Sequence, residues 1–157
     1  MHKVYIGRHK KFSKGVFAAR DIKKGELLFR LNGKKYYSKL ATLLPAYPRD
    51  HAVQVGRRTY ICSTKTFPCN TNHSCSPNAG VRGMKSFYAI YNIKKGKEIT
   101  FDYSTTENSD WHHKCRCRSK NCRRVIGPYR ELPGKIKRKY IRMGIVSSYI
   151  IKRGKND

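Results

Sequence analysis

Acid is scarce in this chain. Nine Asp and Glu face 36 Lys and Arg, leaving a net charge of +27. A field of that sign disfavours cationic partners and favours nucleic acid, or a partner that carries it, with steep salt dependence. The plainer reading is a lysine-rich background whose charges are simply solvated, since net charge says nothing about fold. Long apolar runs are also missing. No stretch approaches the ~18 residues of a membrane-spanning helix. The N-terminal MHKVYIGRHKKF has charge but no apolar segment of a secretory signal, so an intracellular protein is expected. The apolar fraction, 38%, is low and the charged fraction, 29%, slightly high. At 157 residues the chain suits one domain, or one domain with a small appendage. A chain of this size buries roughly 68–70% of its unfolded surface, enough for a real core.

Along the chain, short β-type segments dominate. Residues 3–7, 16–19, 27–31, 52–55, 59–62, 87–90 and 98–103 read as strands, separated by Gly-bearing turns. The string Ile-Lys-Lys-Gly occurs twice, at 22–25 and 93–96, each time inside a strand–turn–strand pattern. Two copies fall short of a repeat architecture, so similar hairpin chemistry is the preferred reading. A helical turn at 40–44, after Ser38 and before Pro45, is expected. Residues 63–80 are irregular and rich in Thr, Asn, Ser, Pro and Cys, and a loop of that length points to function. Beyond Pro133, Ile136, Tyr140, Ile141, Met143 and Val146 approximate one helical face, opposite Lys135, Lys137, Arg138, Lys139 and Arg142. Such a helix either docks by its apolar stripe or binds a phosphate backbone or acidic surface, and its lysine pairs would also suit nuclear import.

Three pieces carry chemistry: Asn72-His73-Ser74-Cys75-Ser76-Pro77-Asn78, then Phe101-Asp102-Tyr103, then Cys115-x-Cys117-x-x-x-x-Cys122. Six cysteines without a secretory signal point to metal or reduced thiols rather than disulfides. Three sulfurs within eight residues suit tetrahedral zinc, which needs a fourth ligand. Cys62, Cys69, Cys75, His112 and His113 are all available for it. Taken singly, Tyr103 reads as strand-end packing and His73 as structural. No acid–base pair of the hydrolase kind is visible.

Together, and with Lys14-Gly15-Val16-Phe17-Ala18 and Asp21-Ile22-x-x-Gly25-Glu26 ahead of them, these pieces resemble the SET-domain protein lysine methyltransferase family with a post-SET zinc segment. The resemblance covers residues 3–127 in the family's order. It implies a mainly β fold, a β-clip of small curved sheets with a C-terminal pseudoknot, short helices, a zinc-bound post-SET segment and a basic C-terminal helix. The implied boundaries are 3–110 for the SET domain, 111–127 for the zinc segment and 128–157 for the tail. Lys14, Gly15, Val16, Asn72 and His73 are implied to hold S-adenosylmethionine, Tyr103 to be catalytic and Phe101 to line the lysine channel. Cys75, Cys115, Cys117 and Cys122 are implied to bind zinc, with His112 and His113 next in line.

The expected reaction is methyl transfer to a lysine side chain of a histone or another chromatin or nucleic-acid-associated protein. The alternative is an inactive, zinc-stabilised module that binds nucleic acid. The expected location is nuclear, at chromatin, for a eukaryotic or viral source and cytoplasmic otherwise. Glu98, Asp102, Glu107 and Asp110 fall within 13 residues and are expected to form an acidic groove for a basic substrate. Two departures stand out. Ser13-Lys14-Gly15 replaces the family's frequent Gly-x-Gly, and Cys69-Asn70-Thr71 stands where an Arg and an aromatic are usual, removing an expected cofactor contact.

Overall fold

A computed structural model describes residues 3–10, 13–37, 52–63 and 65–153. The turn expected at 40–44 lies outside the described residues. Among those described, strands outnumber helices: four small sheets and two short α-helices make up the regular structure, joined by single 3₁₀ turns.

The central sheet runs β1 (Val4–His9), β2 (Ser13–Ala18), β10 (Glu98–Phe101), β7 (Asn72–His73). Strand β10 alternates, with Ile99 and Phe101 buried and Glu98 and Thr100 half-buried, the two-residue period of a half-covered strand. It pairs antiparallel with β2 through Glu98 and Ile99, then parallel with β7 through Thr100 and Phe101. A second sheet orders β3 (Leu27–Arg30), β9 (Ser86–Ala89) and β8 (Ala79–Arg82). A third orders β4 (Lys34–Tyr37), β6 (Thr59–Cys62) and β5 (Val53–Gly56). One core joins them, with Val16, Ala18, Val81, Phe87, Ile99 and Phe101 essentially without exposure. Strands β11 (His113–Lys114) and β12 (Val125–Ile126) form a separate ribbon.

The two Ile-Lys-Lys-Gly strings meet face to face. Ile22 and Ile93 exchange both backbone hydrogen bonds at 2.8 Å. Asp21 accepts from the Lys95 amide at 2.9 Å, and Asn92 accepts from the Lys24 amide at 2.8 Å. Gly25 and Gly96 take φ of 86° and 78°, values that only a residue without a side chain adopts freely. The duplicated string thus builds a reciprocal turn pair that clamps the first two sheets together.

Three expectations are corrected. The irregular stretch contains β7, the start of β8 and a 3₁₀ turn at Pro68–Asn70. Tyr103 does not end a strand; it opens a 3₁₀ turn, Tyr103–Thr105, capped by the Asp102 side chain. The C-terminal helix α1 (Gly134–Arg142) stops short of Val146, because Gly144 turns left-handed at φ 62°. A second helix, α2 (Ser148–Arg153), follows. The tail docks by its apolar side: Tyr140, Ile145, Val146 and Ile150 are buried together with Ile90 and Leu132. Ile145 sits so close to β8 that a Cβ on Gly80 would lie 2.4 Å from it. Lys135, Arg138, Lys139 and Arg142 face outward.

Candidate active site and metal centre

The site forms where β10 passes from β2 to β7. Asn72 spans that junction, its amide donating to the Lys14 carbonyl at 3.0 Å and to the Glu98 carboxylate at 2.7 Å. Gly15 lies under this bridge. A Cβ there would meet Glu98 Oε1 at 2.8 Å and Asn72 Nδ2 at 3.2 Å, so the backbone approach is close despite the missing first glycine of the motif. Val16 has no exposed surface, its main chain held in the sheet between Ile6 of β1 and Ile99 of β10.

His73 is buried between the site's two halves. Its Nδ1 accepts from the Tyr103 amide at 3.2 Å, so the ring proton belongs on Nε2, which faces Cys75 Sγ at 3.3 Å. Burial outweighs the nearby Asp102 charge and holds the imidazole down to about 4, neutral at physiological pH. The Tyr103 hydroxyl donates to the Thr71 carbonyl at 2.9 Å. Thr71 is itself fixed, its hydroxyl donating to the Phe67 carbonyl at 2.8 Å. Burial and the Glu98 charge push the Tyr103 phenol up, so it stays protonated. Phe101 packs its ring against Tyr103 at 4.8 Å and Phe87 at 5.1 Å, forming an aromatic wall under the hydroxyl.

Behind this wall lies the sulfur cluster. The ligand atoms of His73, Cys75, Cys115 and Cys117 all fall within 4.8 Å of one another. Cys75 and Cys115 sulfurs are 3.7 Å apart, close to the roughly 3.8 Å edge of a tetrahedron with ~2.3 Å zinc–sulfur bonds. Cys122 interacts with the Cys115 side chain and packs on the same cluster, at its rim. His73, Cys75, Cys115 and Cys117 thus suit zinc in spacing and donor chemistry, with Cys122 beside them rather than among them. His112 and His113 do not join them: His112 bonds Glu131 at 2.7 Å, and His113 stacks on Trp111. Cys62 and Cys69 lie elsewhere, buried in the main core.

The expected acidic groove is not formed. Asp102 is 1% exposed, and Glu98 is engaged by Asn72 and, at 3.4 Å, by His9. Glu107 is half-buried and accepts from the Ser109 amide, and Asp110 pairs with Arg130. Each of these four acids has a partner within the fold.

Residue-by-residue reading missed the anchor of the tyrosine, Thr71, and the surroundings of Asp102. That carboxylate accepts two bonds from Arg123, at 2.6 and 2.8 Å, and one from the Tyr140 hydroxyl at 2.9 Å. No local pattern links positions so far apart. The one available signal was a lone Asp between two aromatics, too polar for the core unless paired.

Comparison with known proteins agrees with this geometry. The SET domain family matches residues 13–104. The "Variant-silencing SET domain-containing protein" of Plasmodium falciparum is 32% identical over 136 residues, 74% of this chain and 5% of that protein. The "Histone-lysine N-methyltransferase, H3 lysine-36 specific" of Saccharomyces cerevisiae is 40% identical over 63 residues, 36% of this chain and 9% of that one. The chain therefore spans under a tenth of the length of these relatives. Among solved structures, KRYPTONITE in complex with mCHG DNA and SAH superposes with a TM-score of 0.62 at 20% identity, over 78% of this chain and 28% of that one. That likeness is one of fold.

Proposed function

Because the chain belongs to the SET-domain family, we propose that it is a protein lysine methyltransferase that uses S-adenosylmethionine. The observation that carries this reading is the Tyr103 hydroxyl, held by the Thr71 carbonyl at 2.9 Å near the Asn72–Glu98 bridge over Gly15. The cofactor would supply an electrophilic methyl group, held by the main chain of Lys14, Gly15 and Val16 and by Asn72 and His73. The chain's own part is alignment. With its proton committed to Thr71, the Tyr103 oxygen keeps lone pairs that accept an N–H from an incoming neutral amine. Alignment of this kind supplies much of the acceleration in a direct group transfer. Lysine normally ionises near ~10.4, so the amine must arrive deprotonated, and the Phe101 and Tyr103 wall favours the neutral form by excluding water.

Cys75, Cys115, Cys117 and Cys122 would hold a structural zinc. His73 is better placed as a donor to the Cys75 thiolate than as a ligand. A metal bond at Nε2 would move the ring proton to Nδ1, where the Tyr103 amide already donates. For the substrate we favour a histone presented on nucleosomal DNA. The acids near the site are engaged within the fold, which weakens the pull on a free basic tail, whereas the surplus of cations favours phosphate.

The test is methyl transfer from labelled S-adenosylmethionine to free histones and to nucleosomes at rising salt. Transfer to nucleosomes that fades as salt rises is expected. No transfer to either, with no cofactor binding by calorimetry, would leave the zinc-stabilised module as the answer.

A further inference from the structure

Asp102 is the most deeply buried carboxylate among the described residues, and donors from three separate segments of the chain meet on it, with His73 Nδ1 3.6 Å from Oδ1. From its own turn, the Ser104 amide donates to Oδ1 at 3.1 Å. From the zinc segment, Arg123 donates to both oxygens, at 2.6 and 2.8 Å. From helix α1, beyond the family match, Tyr140 donates its hydroxyl to Oδ2 at 2.9 Å. The Arg123 amide also donates to Cys75 Sγ at 3.4 Å, so this one residue contacts both the carboxylate and the sulfur cluster.

We infer that Tyr140 is a positioning residue for the proposed methyl transfer: its hydroxyl shares Asp102 with Arg123 and so fixes the turn that aims Tyr103. A buried carboxylate is costly unless every lone pair has a donor. Arg123 alone can draw the carboxylate toward the zinc segment. The Tyr140 hydroxyl holds Oδ2 from the opposite element, which leaves Oδ1 in place to cap Ser104. The cap fixes the first residue of the 3₁₀ turn, Tyr103, whose amide meets His73 and whose hydroxyl meets Thr71. Burial and the Asp102 charge raise the Tyr140 phenol, which keeps it a donor. The tail is thereby part of the active centre, although it touches no reacting atom.

The inference rests on the proposed activity, and its test separates the two. Tyr140→Phe deletes the hydroxyl and leaves the ring in its apolar cluster. In the zinc-loaded full chain, hydrogen exchange at the Ser104 amide should rise roughly tenfold, while exchange in the central sheet stays unchanged. With nucleosome substrate, kcat should fall roughly tenfold, equivalent to about 1.4 kcal/mol in the barrier, with KM for cofactor and substrate within about twofold. Arg123→Lys, which keeps the charge but loses the paired geometry, should move the same two readouts. It serves if Tyr140→Phe fails to fold. Unchanged Ser104 exchange and unchanged kcat in the folded variant would overturn the inference. So would a uniform rise of exchange through every sheet, the mark of a merely structural role. If the wild-type chain transfers no methyl group, the proposed activity fails, and Ser104 exchange alone decides the tie.

Discussion

Gly15 shows how little room the site leaves at single positions. Its φ is ordinary, so strain is not the constraint; the constraint is space beneath the Asn72–Glu98 bridge. Gly15→Ala should change thermal stability little, because the nearest atom is the far end of a flexible Glu. The displaced carboxylate would release Asn72, and S-adenosylmethionine affinity by calorimetry should fall roughly tenfold, the loss of about one hydrogen bond to a charged group. Tyr103→Phe makes the complementary case. Cofactor binding should persist while kcat drops by about a hundredfold, the scale of a misaligned transfer. A Phe variant with full turnover would remove Tyr103 from the proposed mechanism. Glu26 marks a residue of stability rather than chemistry. The Arg20 guanidinium and the Lys23 amide hold its carboxyl down to about 2. A carboxylate depressed on folding stabilises at pH above its unfolded value and loses that contribution as pH falls through the folded value. Titration by NMR should therefore show Glu26 ionising near 2, and Arg20→Ala should move it back toward the ordinary carboxylate range.

Among elements, the ribbon β11–β12 and its cysteines are the least self-sufficient. Apart from the cysteines, their cluster buries Ile126 with Trp111 and Tyr103 packed beside it. Two residues there, Arg118 and Arg124, have φ of 57° and 69°, a left-handed backbone that costs a non-glycine residue about 1–3 kcal/mol unless its surroundings enforce it. A metal bound by four sulfurs would be that enforcement. Stripping metal with a chelator should accelerate amide exchange at Cys115 and Ile126 while the three larger sheets stay protected. It should also weaken cofactor binding, because His73 and Cys75 belong to one loop. Unaltered cofactor affinity in folded, metal-free protein would sever that linkage. At the other end, Gly80 and Ile145 form the tightest joint between sheet and tail. Gly80→Ala forces the two apart and should cost about 1–3 kcal/mol in denaturant unfolding, the usual penalty of overpacking.

At the scale of the whole molecule, 36 cationic side chains against nine acids, with the acids of the described residues engaged by partners, leave a strong excess of positive charge. Nucleosome association should weaken steeply with salt, and alanine replacement of the outward Arg138, Lys139 and Arg142 should reduce the salt slope by about one phosphate contact per residue; an unchanged slope would remove the tail from the contact. The sequence by itself determined the family, the order of the chemistry-bearing pieces and most strands, because motif spacing and two-residue alternation are local properties. The hairpin strings at 22–25 and 93–96 were visible as duplicates, but their mutual embrace was not, since pairing across seventy residues leaves no periodic trace. Only the tertiary structure could decide which acids remained free. Glu98, Asp102, Glu107 and Asp110 look alike in sequence, and their fate depends on which donors the fold brings within bonding distance, an amide for Glu98 and Glu107 and an arginine for Asp102 and Asp110. The same holds for the tail: a basic amphipathic stripe is legible as such, whereas the choice of Tyr140 to complete Asp102 follows from helix α1 packing over the turn that carries Tyr103.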